Sequence, residues 1–181
     1  MKNSRLSLSL RENASALHQA IGDVLLSSGS LFALYKVYQE YPVCRINPSY
    51  SDASHRFDWV VLDLHLVIEG HGAQHYHPVD FGGEGNLKAI DRYHDACYRD
   101  RKKEEAAVQA GYTYLAIPWT DTNKLTDNYV WGLYQRYKNT LPLIQRVSQA
   151  NDYHEEQLKK AREYRHEQYQ KMKQKRISNG L

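Results

Sequence analysis

Two short β-rich runs, residues 56–62 and 65–69, lie only two residues apart, and no other feature narrows the fold as much. Val, Phe, Trp and Ile dominate both runs, so they predict a pair of core strands joined as a hairpin. A glycine-rich stretch, 70–85, follows with Pro78 inside it and reads as loop. Residues 86–110 then carry Ala and charged residues throughout, and Gly111 stands where a helix cap belongs, which predicts one long helix. Residues 112–119 form a further β-rich run that closes on Pro118. A helix between two strands is a crossover, and crossovers make the strands they join parallel.

Upstream, Ala14, Leu17, Ile21, Val24 and Leu25 recur at steps of three and four, which predicts an amphipathic helix over 14–26, closed by Ser27-Ser28-Gly29-Ser30. Residues 35–46 read as a strand broken by Pro42, which places that strand at an edge or a bulge. Downstream, residues 125–139 read as a helix. Residues 141–175 read as a last long one, with Pro142 in its first turn. The order α, β, β, β, α, β, α predicts an α/β chain: a mixed central sheet flanked by helices, formed by residues 1–140, and a long C-terminal helix in residues 141–181.

At 181 residues the chain is long enough for one domain with a real core. No window approaches the roughly 18 unbroken apolar residues of a membrane helix, so no membrane partner is expected. Residues 1–10 lack the long apolar stretch of a secretory signal. Cys44 and Cys97 are the only cysteines and neither sits in a CxxC, which points to reduced thiols and a cytoplasmic location. Charge is unevenly placed. Residues 151–181 hold 8 Lys and Arg against 5 Asp and Glu, and the remaining 150 residues hold 16 of each. A basic tail on a neutral body is a candidate polyanion contact, and a solvated helix of mixed charge is the plainer alternative.

The chemistry-bearing residues cluster around the hairpin. Asp58 interrupts Phe57-Asp58-Trp59-Val60-Val61, and Glu69 closes Leu66-Val67-Ile68-Glu69. A carboxylate in an apolar strand is costly unless its charge is compensated. Facing side chains of a hairpin lie about 5 Å apart, so one divalent cation held by both acids would relieve their repulsion. The stretch from Glu69 to His77 adds His71, Gln74, His75, His77 and two glycines. His71 projects on the same side as Glu69 if the strand continues. These histidines suit proton transfer or phosphate contact, and a zinc site from His71, His75 and His77 is the alternative.

Phe57-Asp58, Val67-Ile68-Glu69 and Gly72-Ala73-Gln74-His75-Tyr76 together resemble the PD-(D/E)XK-type endonucleases of phages and mobile elements, a homing-endonuclease group related to the very-short-patch repair endonucleases. The resemblance also takes in Tyr41-Pro42-Val43, Phe81-Gly82-Gly83, Arg99-Asp100 with Lys103, and Ala110-Gly111, and it spans about residues 14 to 120. It implies a restriction-endonuclease-like sheet and Mg2+-dependent hydrolysis of DNA, with Mn2+ as a substitute ion. Asp58 then matches the strand acid and first metal ligand, and Glu69 the second acid. A carbonyl near Gly70 completes the protein's share of the metal site. His71-Gly72 matches a His-Gly, Asp100 a helix acid, and Gln74-His75 a Gln-His pair.

The chain departs from the family at the position two after Glu69, where His71 replaces a lysine. Lys103 on the following helix is a substitute for that charge. The family's first-helix Glu is also missing, with His18 and Gln19 nearest its place. The expected reaction is hydrolysis of a phosphodiester, with His75 or His71 taking the proton of water and Gln74 positioning water or phosphate. Lys159, Lys160, Arg162, Arg165, Lys171, Lys173, Lys175 and Arg176 would contact the DNA backbone, with Tyr153, Tyr164 and Tyr169 among them; the same helix is an alternative homodimer contact. A nucleic-acid-binding protein that keeps the fold without the chemistry is the competing class. A coiled-coil module ranks last, because Ile144, Val147, Leu158 and Met172 are too sparse for a heptad seam.

Overall fold

A computed structural model describes residues 14–80, 82–83 and 85–138, together with seven isolated positions between 159 and 174, all helical. The described residues divide into two compact units, one of residues 14–71 and 106–138, the other of 72–105 and the described positions from 159 on. The division between body and tail expected at residue 140 lies outside the described residues.

The first unit is built on a four-stranded sheet in the order β1-β2-β3-β4, with β1 at Val37–Pro42, β2 at Arg56–Val61, β3 at Leu66–His71 and β4 at Thr113–Pro118. The hairpin forms as expected: β2 and β3 are antiparallel, pairing Trp59 with Ile68 and Val61 with Leu66. Its connection is a single 3-10 turn over Leu62–Leu64, which His65 closes at φ 46°. The crossover also holds, since β4 lies parallel to β3 with Leu66 opposite Thr113 and His71 opposite Pro118.

The helix that leads into β4, α3, spans Asn86–Gln109. It ends because Gly111 adopts φ 81°, which lets Tyr112 N–H reach Ala107 O and Gly111 N–H reach Val108 O. That double closure is the glycine-capped helix end.

Helix α1, Ala16–Leu26, begins where the Ser15 side chain accepts the His18 N–H and buries Leu17, Ile21 and Leu25. Helix α4, Asp127–Tyr137, begins at Thr126, whose hydroxyl accepts the Tyr129 N–H. Both pack on one core with Phe32, Trp59, Val61, Leu66, Ile68, Leu115 and Ile117. Tyr134 ties α4 to the hairpin by donating to Leu64 O at 3.1 Å. Each fully buried aliphatic side chain here contributes about 1.5–3 kcal/mol.

Odd positions of β2 and β4 and even positions of β3 face this core. Val60, Val67, Glu69, His71 and Tyr114 therefore belong to the other side of the sheet. At Gly70 α1 comes close: a Cβ there would stand 3.3 Å from Leu17 and 3.4 Å from Ile21.

The bounds of several expected elements are corrected. The strand expected over 35–46 stops at Pro42, and Val43–Ile46 forms a helical turn, α2. Pro42 has no N–H for the ladder, and Val43 N–H is taken by His55 O. As expected for a strand carrying proline, β1 is at the edge. The strand expected to end at Glu69 runs on to His71, and the loop after it includes a 3-10 turn at Ala73–His75. The segment before α4 is a longer 3-10 stretch, Trp119–Lys124. The long C-terminal helix is described only at its isolated helical positions.

Candidate active site

Pairing between β2 and β3 ends at Trp59 and Ile68, and the next residues outward, Asp58 and Glu69, take opposite arms of a fork. Side chains replace the ladder there. Asp58 Oδ2 accepts the Gly70 N–H at 2.8 Å, and Glu69 Oε1 faces the Asp58 N–H at 3.4 Å. Each acid thus reaches the opposite strand, which brings together Asp58, Glu69 and Gly70. Glu69 is 4% exposed, and the Asp58 side chain is 26% exposed, so the fork opens to solvent on the Asp58 side. Both carboxylates accept backbone N–H groups of the opposite strand, which favours their charged forms, and oxygens of this kind are also those that hold a hard cation.

Two further residues stand at Asp58. His18 on α1 is 6% exposed, and its Nδ1 lies 3.6 Å from Asp58 Oδ1. Its other ring nitrogen lies 2.6 Å from the Gln39 amide, and its ring rests on Trp59 with centroids 4.9 Å apart. Glu40 on β1 holds φ 50°. Ligand atoms of His18, Glu40 and Asp58 all lie within 4.8 Å of one another.

In the second unit, His75 Nδ1 bonds the Asp100 carboxylate at 2.5 Å, with Asp100 buried on α3. Asp100 and Lys103 belong to a buried stripe that is otherwise apolar, comprising Ala89, Ile90, Tyr93, Ala96 and Cys97. Lys103 is only 7% exposed and so is not a solvated helix lysine. Burial pushes the Cys97 thiol up to about 11; a hydrogen bond with Tyr93 partly offsets this, and the Asp100 charge adds to it.

The Gln74 side chain folds back over Gly72, where any Cβ would stand 2.4 Å from its amide oxygen. Gln74 also lines a cavity of about 290 Å3 with Arg92, Tyr93 and Arg99.

His71 is the last residue of β3 and is buried. His77 is exposed beside the Pro78 carbonyl, and no grouping of metal-capable side chains among the described residues includes it. Lys159 and Lys171 are exposed and helical. Lys160, Arg162, Arg165, Lys173, Lys175 and Arg176 lie outside the described residues, as do Tyr153, Tyr164 and Tyr169. Among the described residues, no helix is long and apolar enough to cross a membrane.

No family model, curated protein or solved structure matches this chain. The residue that sequence reasoning missed is Glu40. Its only signal was Pro42 two positions later, which marked an irregular edge but not a left-handed residue.

Proposed function

We propose that this chain is a metal-dependent endonuclease of the restriction-endonuclease-like kind, which hydrolyses phosphodiester bonds in DNA. The fork at Asp58 and Glu69 carries the reading: two carboxylates, each bonded to the opposite strand, at an opening that solvent reaches. The element order and the parallel β3–β4 pair supply the sheet that such a reading needs. The donors fit a hard divalent cation, because Mg2+ and Mn2+ take carboxylate and carbonyl oxygens.

Asp58, Glu69 and the Gly70 carbonyl would hold that ion. When bound, it polarises phosphate and lowers the pKa of water. Within the second unit Asp100 occupies His75 Nδ1 and fixes the ring, which leaves Nε2 as the nitrogen that would accept a proton. Gln74 donates its amide to water or phosphate, and Lys103 balances charge on the phosphate. The basic residues of 159–176 add affinity through the DNA backbone, which makes binding fall steeply with salt.

The test is cleavage of plasmid, mismatched, branched and single-stranded DNA, with RNA included, in Mg2+ or Mn2+ against EDTA. Metal-dependent cleavage that Asp58→Asn loses supports the reading, and cleavage retained by Asp58→Asn overturns it. A binding protein without chemistry is the second reading, favoured by a buried His71 where the family has lysine. DNA binding with no cleavage under any metal would establish it instead.

A further inference from the structure

We infer that His18, Glu40 and Asp58 form a mixed nitrogen–oxygen cation site that takes Mn2+, Co2+ or Zn2+ in preference to Mg2+. The inference deepens the reading of Asp58 as a metal ligand: His18 stands nearest the place of the family's first-helix Glu, and Glu40 is a ligand that neither the hairpin nor the resemblance supplies.

Distance is the first argument. His18 Nδ1 and Asp58 Oδ1 stand 3.6 Å apart, too far for a hydrogen bond. Two ligands each about 2.1 Å from a shared metal lie roughly 3 to 3.4 Å from one another. The observed gap is longer than a direct hydrogen bond and slightly longer than the separation of two ligands on one ion, so an ion between the two groups would need only a small inward shift.

Charge is the second argument. A His–carboxylate pair alone would account for His18 and Asp58, but Glu40 brings a second carboxylate within 4.8 Å of both. It does so from a left-handed backbone, φ 50°, which a side-chain-bearing residue holds at a cost. A second negative charge delivered at backbone cost is stabilised if a dication sits among the three groups.

Preorganisation is the third argument. The His18 ring is fixed by Trp59 on one side and by the Gln39 amide on its far nitrogen. A ligating histidine donates its second N–H to an acceptor, whereas the Gln39 atom nearest Nε2 is the amide nitrogen, so ligation through Nδ1 goes with that amide turned over. The amide can present its oxygen to Nε2–H by turning about its terminal torsion, which leaves the Nδ1 lone pair facing Asp58. Imidazole favours Mn2+, Co2+ and Zn2+ over Mg2+, which prefers an all-oxygen shell.

The test is direct metal binding by the full chain without nucleic acid, read by calorimetry and by the visible absorption of Co2+. Wild type should bind Co2+ and Mn2+ at least tenfold more tightly than Mg2+. Glu40→Gly and His18→Gln should each weaken Co2+ at least tenfold and alter its absorption bands. Circular dichroism of the metal-free variants shows whether they are folded, and Glu40→Gly suits its backbone, so it keeps the test decisive. Unchanged Co2+ affinity in either folded variant overturns the site, as does Mg2+ binding equal to or tighter than Co2+. A chain that binds Co2+ through these groups yet cleaves no nucleic acid keeps this inference and overturns the nuclease reading.

Discussion

Glu40→Gly should make the metal-free protein more stable while weakening its response to metal. Glu40 sits at φ 50° on the edge strand, half-buried. For a residue with a side chain, that backbone costs about 1–2 kcal/mol. Glycine holds it freely but gives up about 0.5–1 kcal/mol through its extra freedom in the unfolded chain. The net gain is about 0–1.5 kcal/mol, and easing the repulsion with Asp58 adds to it. For a chain of 181 residues this raises Tm by up to about 6 °C. Thermal unfolding in EDTA, followed by circular dichroism, measures it. Glu40→Ala is the control, because it removes the charge but keeps the backbone cost. It should gain less than glycine does. Added Mn2+ should then raise the Tm of wild type by more than it raises that of Glu40→Gly. A Glu40→Gly protein that melts below wild type in EDTA refutes the reasoning, since the side chain would then contribute more than its backbone costs.

Iodoacetamide at pH 8 should modify Cys44 in the folded protein and reach Cys97 only on unfolding, because burial holds the Cys97 thiol near 11; mass spectrometry showing equal labelling would contradict this. Burial first, and then the Asp121 carboxylate, push the Tyr129 phenol up to about 12. Its folded value lies above the unfolded one, so its contribution is complete below about pH 10 and is lost as pH rises towards 12. Tyr129→Phe should accordingly flatten the loss of stability across that window, and an identical alkaline profile would argue against it. Asp100→Asn should lower kcat of DNA cleavage about 100-fold or more, because His75 loses the partner that fixes its ring; a change under threefold removes His75 from proton transfer.

The frame of this protein is legible because its signals are local. The β-rich composition of the two hairpin runs, a helix closed by Gly111 and a proline at the edge strand each act within a few residues, and together they yield the hairpin, the edge strand and the parallel β3–β4 pair. Asp58 and Glu69 stood out as acids in apolar runs, and the register that sets them on one fork follows from the hairpin. Glu40 was not legible, since it takes a left-handed backbone at the one position of β1 left out of the pairing with β2, and nothing in its residue type marks that. His18 looked like an ordinary helix-face histidine, because its tie to Asp58 spans 40 residues of sequence. Lys103 reads as a surface residue by type, yet it falls on the buried stripe of α3. The 3-10 turns at Ala73–His75 and Trp119–Lys124 carry no periodicity that distinguishes them from loop.

Paramagnetic broadening by Mn2+ tests most directly whether a cation occupies the fork. In the 15N-labelled full chain, substoichiometric Mn2+ should erase the amide signals of Asp58 and Gly70 before those of the outlying acids Asp52 and Asp121. Broadening that begins at Asp52 or Asp121 and leaves Asp58 and Gly70 sharp would contradict the account.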